Sequence, residues 1–283
     1  MNAEATLLEV RDLKVHFETR TWLGRPHVVK AVDGVSLEIR AGESVGLVGE
    51  SGSGKTTVAN AIVGLAPVTG GSVRFRGRDQ QNFAREDWKA FREHVQMVFQ
   101  DPFGSLNPRL TAGGCIAEVL KVHAERARSL EGQGGTGQKG SRADRVVELL
   151  NSVGLDADFA SRYPHELSGG QRQRIGIARA LAGNPSVLIA DEPVSALDVS
   201  VQAQILDLMG HLRQRLGIAY LLISHDLAVV HDMCETVLVM HRGKIVESGT
   251  REEVLLRPVH AYTKALLAAV PDIDKGLERR RSG

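Results

Sequence analysis

The chain has 283 residues, with 35 Lys and Arg against 34 Asp and Glu and therefore a formal net charge of +1. Hydrophobic residues make up 42% of the chain and charged residues 24%, which supplies a globular core and excludes a mainly disordered protein. The balanced charge lacks the basic excess that is typical of a dedicated nucleic-acid-binding protein.

Cysteine usage and hydropathy exclude two further classes. Cys115 and Cys234 stand far apart and outside any CxxC pair, so neither a disulfide framework nor a clustered-cysteine metal site is expected. No apolar run approaches the ~18 residues that span a bilayer, and the N-terminal sequence has no secretory pattern. We therefore expect another chain to supply any membrane-spanning part.

The first hundred residues are predicted to be rich in β-strands. Short apolar or alternating runs, bounded by glycine and charged residues, are typical of strands. These runs lie at 7–17, 35–39, 45–48, 73–75 and 95–99. A loop with glycine and proline at 22–27 is predicted to be a hairpin tip.

The middle of the chain changes character. Residues 116–127 suit a helix, and a second helix is predicted at about 143–153. The segment 128–141 between them contains five glycines, a composition that cannot form a core and predicts a flexible surface excursion.

Alternating strands and helices return after Pro185. The fully apolar runs at 187–190 and 219–223 are typical of buried parallel strands, and an amphipathic helix at 201–216 lies between them. This pattern predicts one doubly wound α/β core with a helical insert.

The last part of the chain is predicted to contain a hairpin and two short helices. The hairpin pairs 237–240 with 244–247, and the helices close near Leu256 and Ala269. Residues 279–281 are three arginines, which we assign to a solvated tail.

A glycine-rich loop indicates a nucleoside triphosphate site. Residues 49–56 match G-x-x-x-x-G-K-[ST], between the predicted strand 45–48 and a predicted helix at 55–65. Glycines let backbone N–H groups turn toward phosphates, and a helix start adds positive partial charge. Lys55 is predicted to reach the β- and γ-phosphates, and the Thr56 hydroxyl to bind Mg²⁺. The complete motif in this context outweighs the alternative of an incidental glycine-rich turn.

Acidic residues follow the strand at 187–190. Asp191 is placed to hold Mg²⁺ through water, and Glu192 to act as a general base on the attacking water. Taken alone, the pair also fits two surface acids that cap a strand, but the phosphate loop in the same chain favours the functional interpretation. His225 follows the strand at 219–223, and spacing leaves a γ-phosphate contact and a structural role equally open.

A serine-glycine-glycine run indicates a second anion site. Residues 167–171, Leu-Ser-Gly-Gly-Gln, precede a helix predicted at 172–182. Ser168 is a good N-cap residue, and the two glycines expose backbone donors at the helix start. An ordinary capped helix explains Ser168 but leaves the rest of the run unexplained.

These motifs, in this order, resemble the ATP-binding subunits of ATP-binding cassette (ABC) transporters over nearly the whole chain. Residues 49–56 match Walker A, and 187–191 with Glu192 match Walker B and its catalytic glutamate. Gln100 matches the Q-loop and His225 the switch histidine. Phe17 lies where the family has an aromatic residue that stacks on adenine, with His16 the less favoured occupant. The signature and the D-loop are matched by Leu167, Ser168, Gly169, Gly170 and Gln171, and by Ser195, Ala196, Leu197 and Asp198.

The resemblance implies a site shared by two subunits. Walker A of one subunit and the signature of another would enclose each ATP, so the family implies a dimer with two composite sites. The catalytic residues would be Glu192, His225 and Lys55, with Mg²⁺ bound by Thr56, Gln100 and Asp191. The ATP-binding residues would be Phe17, Gly49, Glu50, Ser51, Gly52, Ser53, Gly54, Lys55, Thr56, Thr57 and Gln100.

The implied fold is an α/β P-loop NTPase, an ABC nucleotide-binding domain with an antiparallel β subdomain. Residues 1–100 and 180–250 would form the RecA-like core with that subdomain. Residues 101–179 would form the helical subdomain, and 251–283 a C-terminal extension. The excursion 128–141 has no role in the family pattern.

Two segments narrow the resemblance to oligopeptide and dipeptide importers. Residues 100–109 resemble their extended Q-loop, in a form that favours the second ATPase of such pairs. Residues 258–267 resemble their His-Pro-Tyr-Thr element, although Ala261 replaces the usual proline. Some relatives carry an iron–sulfur cluster in this region, but with two cysteines no such four-cysteine cluster is expected here.

The resemblance also implies partners and location. The subfamily more often pairs two different ATPases than two copies of one. The implied assembly adds two transmembrane permease subunits and, indirectly, an extracytoplasmic solute-binding protein, with no nucleic acid. The chain would lie on the cytoplasmic face of the inner membrane, peripheral through the permeases, and would drive uptake of peptides or related solutes.

Three alternatives belong to other classes. A soluble ABC ATPase acting on nucleic acid or the ribosome usually has a long coiled-coil insert or two cassettes, and this sequence has neither. An exporter ATPase stays open because transport direction resides in the membrane partner. A regulatory chain without activity is disfavoured because Glu192 and His225 are both intact.

Overall fold

The computed structural model describes residues 6–20, 26–131 and 141–269. Its strands are β1 (Thr6–Arg20), β2 (Pro26–Arg40), β3 (Ser44–Val48), β4 (Gly70–Phe75), β5 (Arg78–Asp79), β6 (Val95–Val98), β7 (Val187–Asp191), β8 (Ala219–Ser224), β9 (Thr236–His241) and β10 (Lys244–Thr250). Its helices are α1 (Lys55–Ile62), α2 (Arg85–His94), α3 (Pro102–Ser105), α4 (Ala112–Glu131), α5 (Arg142–Ser152), α6 (Gly169–Leu181), α7 (Val199–Leu216), α8 (Leu227–Met233), α9 (Arg251–Leu256) and α10 (Ala261–Ala268).

The main sheet has six strands in the order β10-β9-β3-β8-β7-β6. Its pairs are parallel from β6 through β9, and the β9–β10 hairpin adds the one antiparallel edge. Each central strand is buried on both faces, since Ile189 packs into one hydrophobic cluster and its neighbour Leu188 into the other. A strand covered on both sides needs apolar residues at every position, which explains the uninterrupted runs in the sequence.

A second, antiparallel sheet covers one face of the main sheet. Its order is β2-β1-β4-β5, and β1 is paired with β2 along almost its whole length. Apolar residues of this sheet share a cluster with α1 and with the odd-numbered residues of β3 and β7. Helices α4 to α7 contribute to the cluster on the opposite face. The predicted α/β core with an antiparallel sheet and a helical insert is confirmed.

Several predicted boundaries were wrong by a few residues. Helix α1 ends at Ile62, short of residue 65, because Gly64 adopts a left-handed φ of 76°. Helix α4 continues to Glu131, so 128–131 are helical and not part of an irregular excursion. Helix α6 begins at Gly169, three residues before the predicted start. The rest of the predicted excursion (132–140), most of the hairpin tip at 22–27 and the tail at 279–281 lie outside the described residues.

Helix α2 was missed because its sequence is dominated by charged residues. Its few apolar side chains form an aromatic cluster, with ring centroids of Phe91 5.4 Å from Phe75 and 5.7 Å from Trp88. Asp87 accepts a hydrogen bond from the Ala84 N–H at 3.0 Å and so satisfies a donor at the helix start. Tertiary packing of these few aromatic side chains therefore outweighs the low overall hydrophobicity of the segment.

Within the described ranges, no helix is long and apolar enough to cross a membrane.

Candidate functional site

Four predicted site segments meet at one edge of the main sheet. Residues 49–56 follow β3, Gln100 lies just after β6, Asp191 ends β7 and His225 follows β8. The strand register brings these ends level, since Val48 pairs with Ser224 and Asp191 with Ile223. Ligands of open parallel sheets bind outside the carboxyl ends of the strands, so this edge is the candidate site.

The phosphate loop at 49–56 depends on glycines with left-handed backbone. Gly49 has φ 154° and Gly54 has φ 108°. A Cβ atom at Gly49 would overlap the carbonyl oxygen of Met240, and one at Gly54 that of Ala31. Only glycine lets the loop pack this closely on β2 and β9.

Lys55 is held inside that loop. The residue is 5% exposed, and its Nζ donates to the carbonyl oxygens of Gly49 at 2.7 Å and Glu50 at 2.9 Å. Burial lowers the pKa of Lys55, while Glu192 and Asp191 oppose that shift by attraction. The loop therefore holds a desolvated ammonium group where an anion would be attracted.

Ser53 carries a polar atom that its own chain leaves without a partner. Its Oγ is buried and has no hydrogen bond within the described residues, although its backbone N–H reaches the Glu50 carbonyl at 3.2 Å. A buried hydroxyl without a partner costs free energy unless a ligand supplies the bond. A phosphate oxygen bound in this loop would give the Ser53 hydroxyl the acceptor that the chain does not provide.

Thr56 and Asp191 bring two oxygen atoms together beside the loop. The Thr56 hydroxyl donates to Asp191 Oδ1 at 3.3 Å, and Asp191 is 2% exposed. Burial raises the pKa of Asp191, and the Thr56 hydrogen bond opposes this. Hydroxyl and carboxylate oxygens are the ligands that Mg²⁺ prefers, so this pair fits the predicted metal.

Asp191→Asn should stabilise the nucleotide-free protein. Burial disfavours the Asp191 carboxylate, so the folded pKa is raised and the charged form costs stability at pH 7. We expect a higher Tm for the variant at pH 7, measured by differential scanning fluorimetry without nucleotide or Mg²⁺. The gain should shrink as pH falls through the raised folded pKa and vanish below the unfolded value of about 3.9.

Asp198→Asn is the matched control for that measurement. Asp198 accepts hydrogen bonds from the Val201 N–H at 3.0 Å and the Ser200 hydroxyl at 2.8 Å, which lower its pKa. Its charged form is therefore stabilised by folding, and the variant should lower the Tm at pH 7. A lower Tm for both variants would contradict the burial argument at Asp191.

Glu192 is fixed by two side chains from neighbouring strand ends. Gln100 Nε2 donates to its Oε2 at 2.8 Å, and His225 Nδ1 lies 3.1 Å from its Oε1. The Glu192 backbone has a left-handed φ of 45°, which is uncommon for a residue with a side chain. Its N–H donates to the Ile223 carbonyl at 2.9 Å and so fixes the residue after β7. The structure thus brings Gln100, Glu192 and His225 into one network.

Residues 167–171 form the start of α6. Ser168 Oγ accepts from the Gln171 N–H at 3.3 Å, and Gln171 Oε1 accepts from the Ser168 N–H at 2.9 Å. This reciprocal capping box explains both Ser168 and Gln171, so attributing only the serine to capping was wrong.

The two glycines of this run are explained by packing. A Cβ at Gly170 would lie 2.5 Å from Val201 Cγ1, and one at Gly169 would lie 3.1 Å from Leu197 Cδ2. The start of α6 therefore packs on the predicted D-loop and on α7. Ser195 Oγ in the D-loop donates to the Glu192 carbonyl at 3.2 Å, which links the D-loop to the general-base candidate.

The predicted adenine position lies on β1. Phe17 pairs with Val29 of β2, and Phe17 is 37% exposed. The neighbouring His16 is engaged instead, with Nε2 3.0 Å from Asp33 Oδ1. Phe17 is therefore the aromatic ring that this stretch of β1 exposes.

Sequence reasoning missed Tyr262 as a neighbour of the phosphate loop. Its hydroxyl accepts a hydrogen bond from the Glu50 N–H at 3.1 Å, across 212 residues of sequence. Its ring also packs on His241, with centroids 3.9 Å apart. No local pattern signals a contact over that separation.

Comparison with known proteins gives consistent matches. Residues 32–195 match the family described as ABC transporter, and 246–283 match the oligopeptide/dipeptide transporter C-terminal region. The chain is 48% identical over 279 residues to the oligopeptide transport ATP-binding protein OppF of Salmonella typhimurium, covering 97% of this chain and 80% of that protein. It is 48% identical over 271 residues to the oligopeptide transport ATP-binding protein AppF of Bacillus subtilis, covering 95% and 79%.

Solved structures show the same fold. A dimeric post-hydrolysis state of the ATP-binding cassette MJ0796 bound to ADP and Pi superposes with a TM-score of 0.73 at 29% identity. That match covers 87% of this chain and 99% of the other. A second dimeric MJ0796 structure, described as a bacterial ABC transporter cassette, gives 0.72 at 28% identity over the same shares of the two chains.

Proposed function

The chain belongs to the ABC transporter family, and from that premise we propose that it is the ATP-hydrolysing subunit of a peptide importer. One observation carries the enzymatic part: Glu192, bound by Gln100 and His225, lies at the sheet edge that also holds Lys55 and Asp191. The match at 246–283 and the relatives OppF and AppF, both named as oligopeptide transport proteins, support peptide transport over work on nucleic acid, and import is our assignment of its direction.

Binding of the triphosphate is assigned to the loop and the strand ends. The Lys55 ammonium and the backbone N–H groups at the start of α1 attract the β- and γ-phosphates. Ser53 Oγ gains the partner that its own chain leaves out. Mg²⁺, held by Thr56, Asp191 and Gln100, would neutralise charge that develops on the phosphate oxygens. Phe17 offers its exposed face for stacking on adenine.

Hydrolysis is assigned to Glu192 as general base, since a carboxylate near the γ-phosphate can take the proton from an attacking water. Each of its carboxylate oxygens already has a partner in this structure, Gln100 on Oε2 and His225 on Oε1. The His225 side chain is 57% exposed and is therefore free to turn toward the γ-phosphate. That movement would release Oε1 to accept the proton.

The second wall of the site is assigned to another subunit. We assign 101–179 as the unit that presents the start of α6, and 1–100 with 180–250 as the unit that holds the phosphate loop. The N–H groups of Gly169 and Gly170 open a 13-residue helix, whose N-terminus favours an anion. Both solved structures of MJ0796 are dimeric, which supports a partner's signature facing this phosphate loop.

The remaining partners follow from the importer assignment. We propose a paralogous ATPase as the second subunit, two transmembrane permeases, and a solute-binding protein that acts through them. The chain would lie on the cytoplasmic face of the membrane, bound through the permeases. The 251–283 extension would be the part that distinguishes this ATPase from other transporter cassettes.

Transport is tested directly in proteoliposomes that contain the permeases and both ATPases. We expect uptake of a labelled tripeptide or pentapeptide to require ATP and the solute-binding protein, and to stimulate hydrolysis. ATP hydrolysis that is stimulated by RNA or DNA and not by peptide would contradict the proposal. ATP-driven movement of peptide in the outward direction would contradict import.

Ser168→Arg separates a shared site from a site within one chain. We expect the isolated chain to keep its ATP affinity within about twofold, because its own phosphate loop is unchanged. Hydrolysis by the assembled transporter should fall about 10²-fold, the scale of losing an anion-stabilising donor set. Weaker ATP binding by the isolated chain would instead place the signature in the same subunit's site.

A further inference from the structure

We propose that Tyr262 is a positioning residue that holds the Lys55 ammonium in the phosphate loop, acting through the peptide group between Gly49 and Glu50. The inference rests on the proposed binding of ATP. It gives a role at the nucleotide site to α10, the helix that begins at Ala261.

The two hydrogen bonds involved belong to one rigid unit. Tyr262 Oη accepts from the Glu50 N–H at 3.1 Å, and Lys55 Nζ donates to the Gly49 carbonyl at 2.7 Å. That N–H and that carbonyl are parts of the same planar peptide group, and in a trans peptide they point in opposite directions. Fixing the N–H on one side therefore fixes the carbonyl that receives the ammonium on the other.

This peptide group needs an external support. Gly49 has φ 154°, and a glycine imposes little steric restriction on rotation of the following peptide plane. A side chain cannot stiffen the position, because a Cβ there would overlap the Met240 carbonyl oxygen. The Tyr262 hydroxyl supplies the restraint that a bulkier residue would otherwise give.

Tyr262 is itself held by the β9–β10 hairpin. Its ring packs on His241 with centroids 3.9 Å apart. Glu247 of β10 accepts from the N–H groups of Val259 at 2.6 Å and His260 at 3.2 Å, which fixes the entry to α10. His260 then caps the helix, with Nδ1 accepting from the Tyr262 N–H at 3.1 Å.

The hairpin also contacts the phosphate loop at its tip. The Gly243 N–H donates to the Ser53 carbonyl at 2.9 Å, and the Gly243 carbonyl accepts from the Asp33 N–H at 2.8 Å. One hairpin therefore supports the loop directly through Gly243 and indirectly through Tyr262. A shift of α10 relative to this hairpin would change the position of the Lys55 ammonium.

Tyr262→Phe tests the hydroxyl and keeps the ring that packs on His241. In the full-length chain, we expect the Kd for Mg-ATP to rise three- to tenfold, the scale of one lost hydrogen bond. In the assembled transporter, KM for ATP should rise by the same factor and kcat should stay within about twofold. The Glu50 amide should exchange faster with solvent, as measured by NMR on the labelled chain.

Tyr220→Phe is the matched control. Tyr220 is also a tyrosine whose hydroxyl bonds to backbone, donating to the Met209 carbonyl at 3.0 Å, but it is the second residue of β8, at the amino end of the strand and away from the candidate site. We expect a comparable loss of stability without a change in the Kd for Mg-ATP. An equal rise in Kd for both variants would attribute the effect to stability and overturn the proposal.

A Lys55→Ala background shows whether Tyr262 acts through Lys55. There, adding Tyr262→Phe should change the residual Kd for Mg-ATP by less than about 1.5-fold, because the group it positions is gone. An undiminished effect in this background, or an unchanged Kd in the wild-type background, would overturn the inference.

His241→Ala provides a second variant, which removes the ring support and keeps the hydroxyl, and it should raise the Kd by a smaller factor. If neither variant changes the Kd, the positioning role is excluded. If Lys55→Ala alone leaves ATP binding unchanged, the failure lies in the proposed function and not in Tyr262.

Discussion

Glu192→Gln should leave ATP binding intact and lower the rate of hydrolysis by about 10²–10⁴-fold, the scale of a lost general base. The amide has the shape of the carboxylate and keeps an oxygen that can accept from Gln100. It lacks the basicity that takes a proton from water. Nucleotide affinity should therefore stay within about threefold while the chemical step slows.

Single-turnover hydrolysis in the assembled transporter measures that step apart from product release. Glu38→Gln is the control, since Glu38 is a half-exposed glutamate of β2 that pairs with Arg40. It should leave both binding and turnover unchanged. A Glu192→Gln rate within about threefold of the wild type would reject Glu192 as the base.

The strand-end residues were predictable because the chemistry and the topology share a local pattern. An apolar run of four or five residues, followed at once by Asp191 or one residue later by His225, marks the carboxyl end of a buried parallel strand. Parallel pairing then brings these ends to one edge, without any knowledge of the contacts between them. The contacts that the Glu192 carboxylate makes with Gln100 Nε2 and His225 Nδ1 could be found only in the structure, because their geometry depends on the left-handed turn after β7.

The sequence contained the capping-box pattern of α6, but only its serine was recognised as a cap. Ser168 followed three residues later by Gln171 is a capping-box pattern, and it places the helix start at Gly169. The glycine N–H groups were interpreted only as hydrogen-bond donors to an anion, and the helix was therefore predicted to start at residue 172. The box orders the first turn of α6, and contact between its glycine N–H groups and a partner's nucleotide stays a prediction.

Tyr262 illustrates what no local pattern supplies. It joins α10 to a loop 212 residues earlier, through a hydroxyl and a backbone amide that carry no distinctive sequence signature. Helix α2 was missed for a related reason, because its stability comes from Phe75 and Phe83 outside the helix. Long-range packing therefore determines the contacts and helices that periodicity and motif spacing do not predict.

The candidate site at the carboxyl ends of the main-sheet strands brings buried charged groups together. Lys55 and Asp191 are 5% and 2% exposed, and each is disfavoured as an ion by its own burial. Their mutual attraction offsets part of that cost, and a bound triphosphate with a metal would offset more. The buried charges thus lower the stability of the nucleotide-free protein and favour binding of the triphosphate and its metal. This is why Asp191→Asn should raise the Tm.

Lys55→Ala should raise the Kd for Mg-ATP about 10²-fold, on the scale of losing a charge-assisted bond in a desolvated site. The ammonium is inside the loop and bonded to the carbonyls of Gly49 and Glu50, so the variant removes a positive charge that the loop itself holds. Titration with a fluorescent ATP analogue measures the change. Lys89→Ala is the control, since Lys89 is exposed on α2 and pairs with Glu86.

Measuring the Kd for Mg-ATP against pH, for the wild type and for Lys55→Ala, adds an independent check. Because burial lowers the pKa of Lys55, its charge is lost at a lower pH than that of a free lysine, whose pKa is about 10.4. Wild-type affinity for ATP should therefore weaken as pH rises through the lowered pKa, and Lys55→Ala should not show this weakening. The ratio of the two Kd values should narrow with rising pH. A ratio that stays constant would show that the Lys55 charge is not the group that attracts the phosphates.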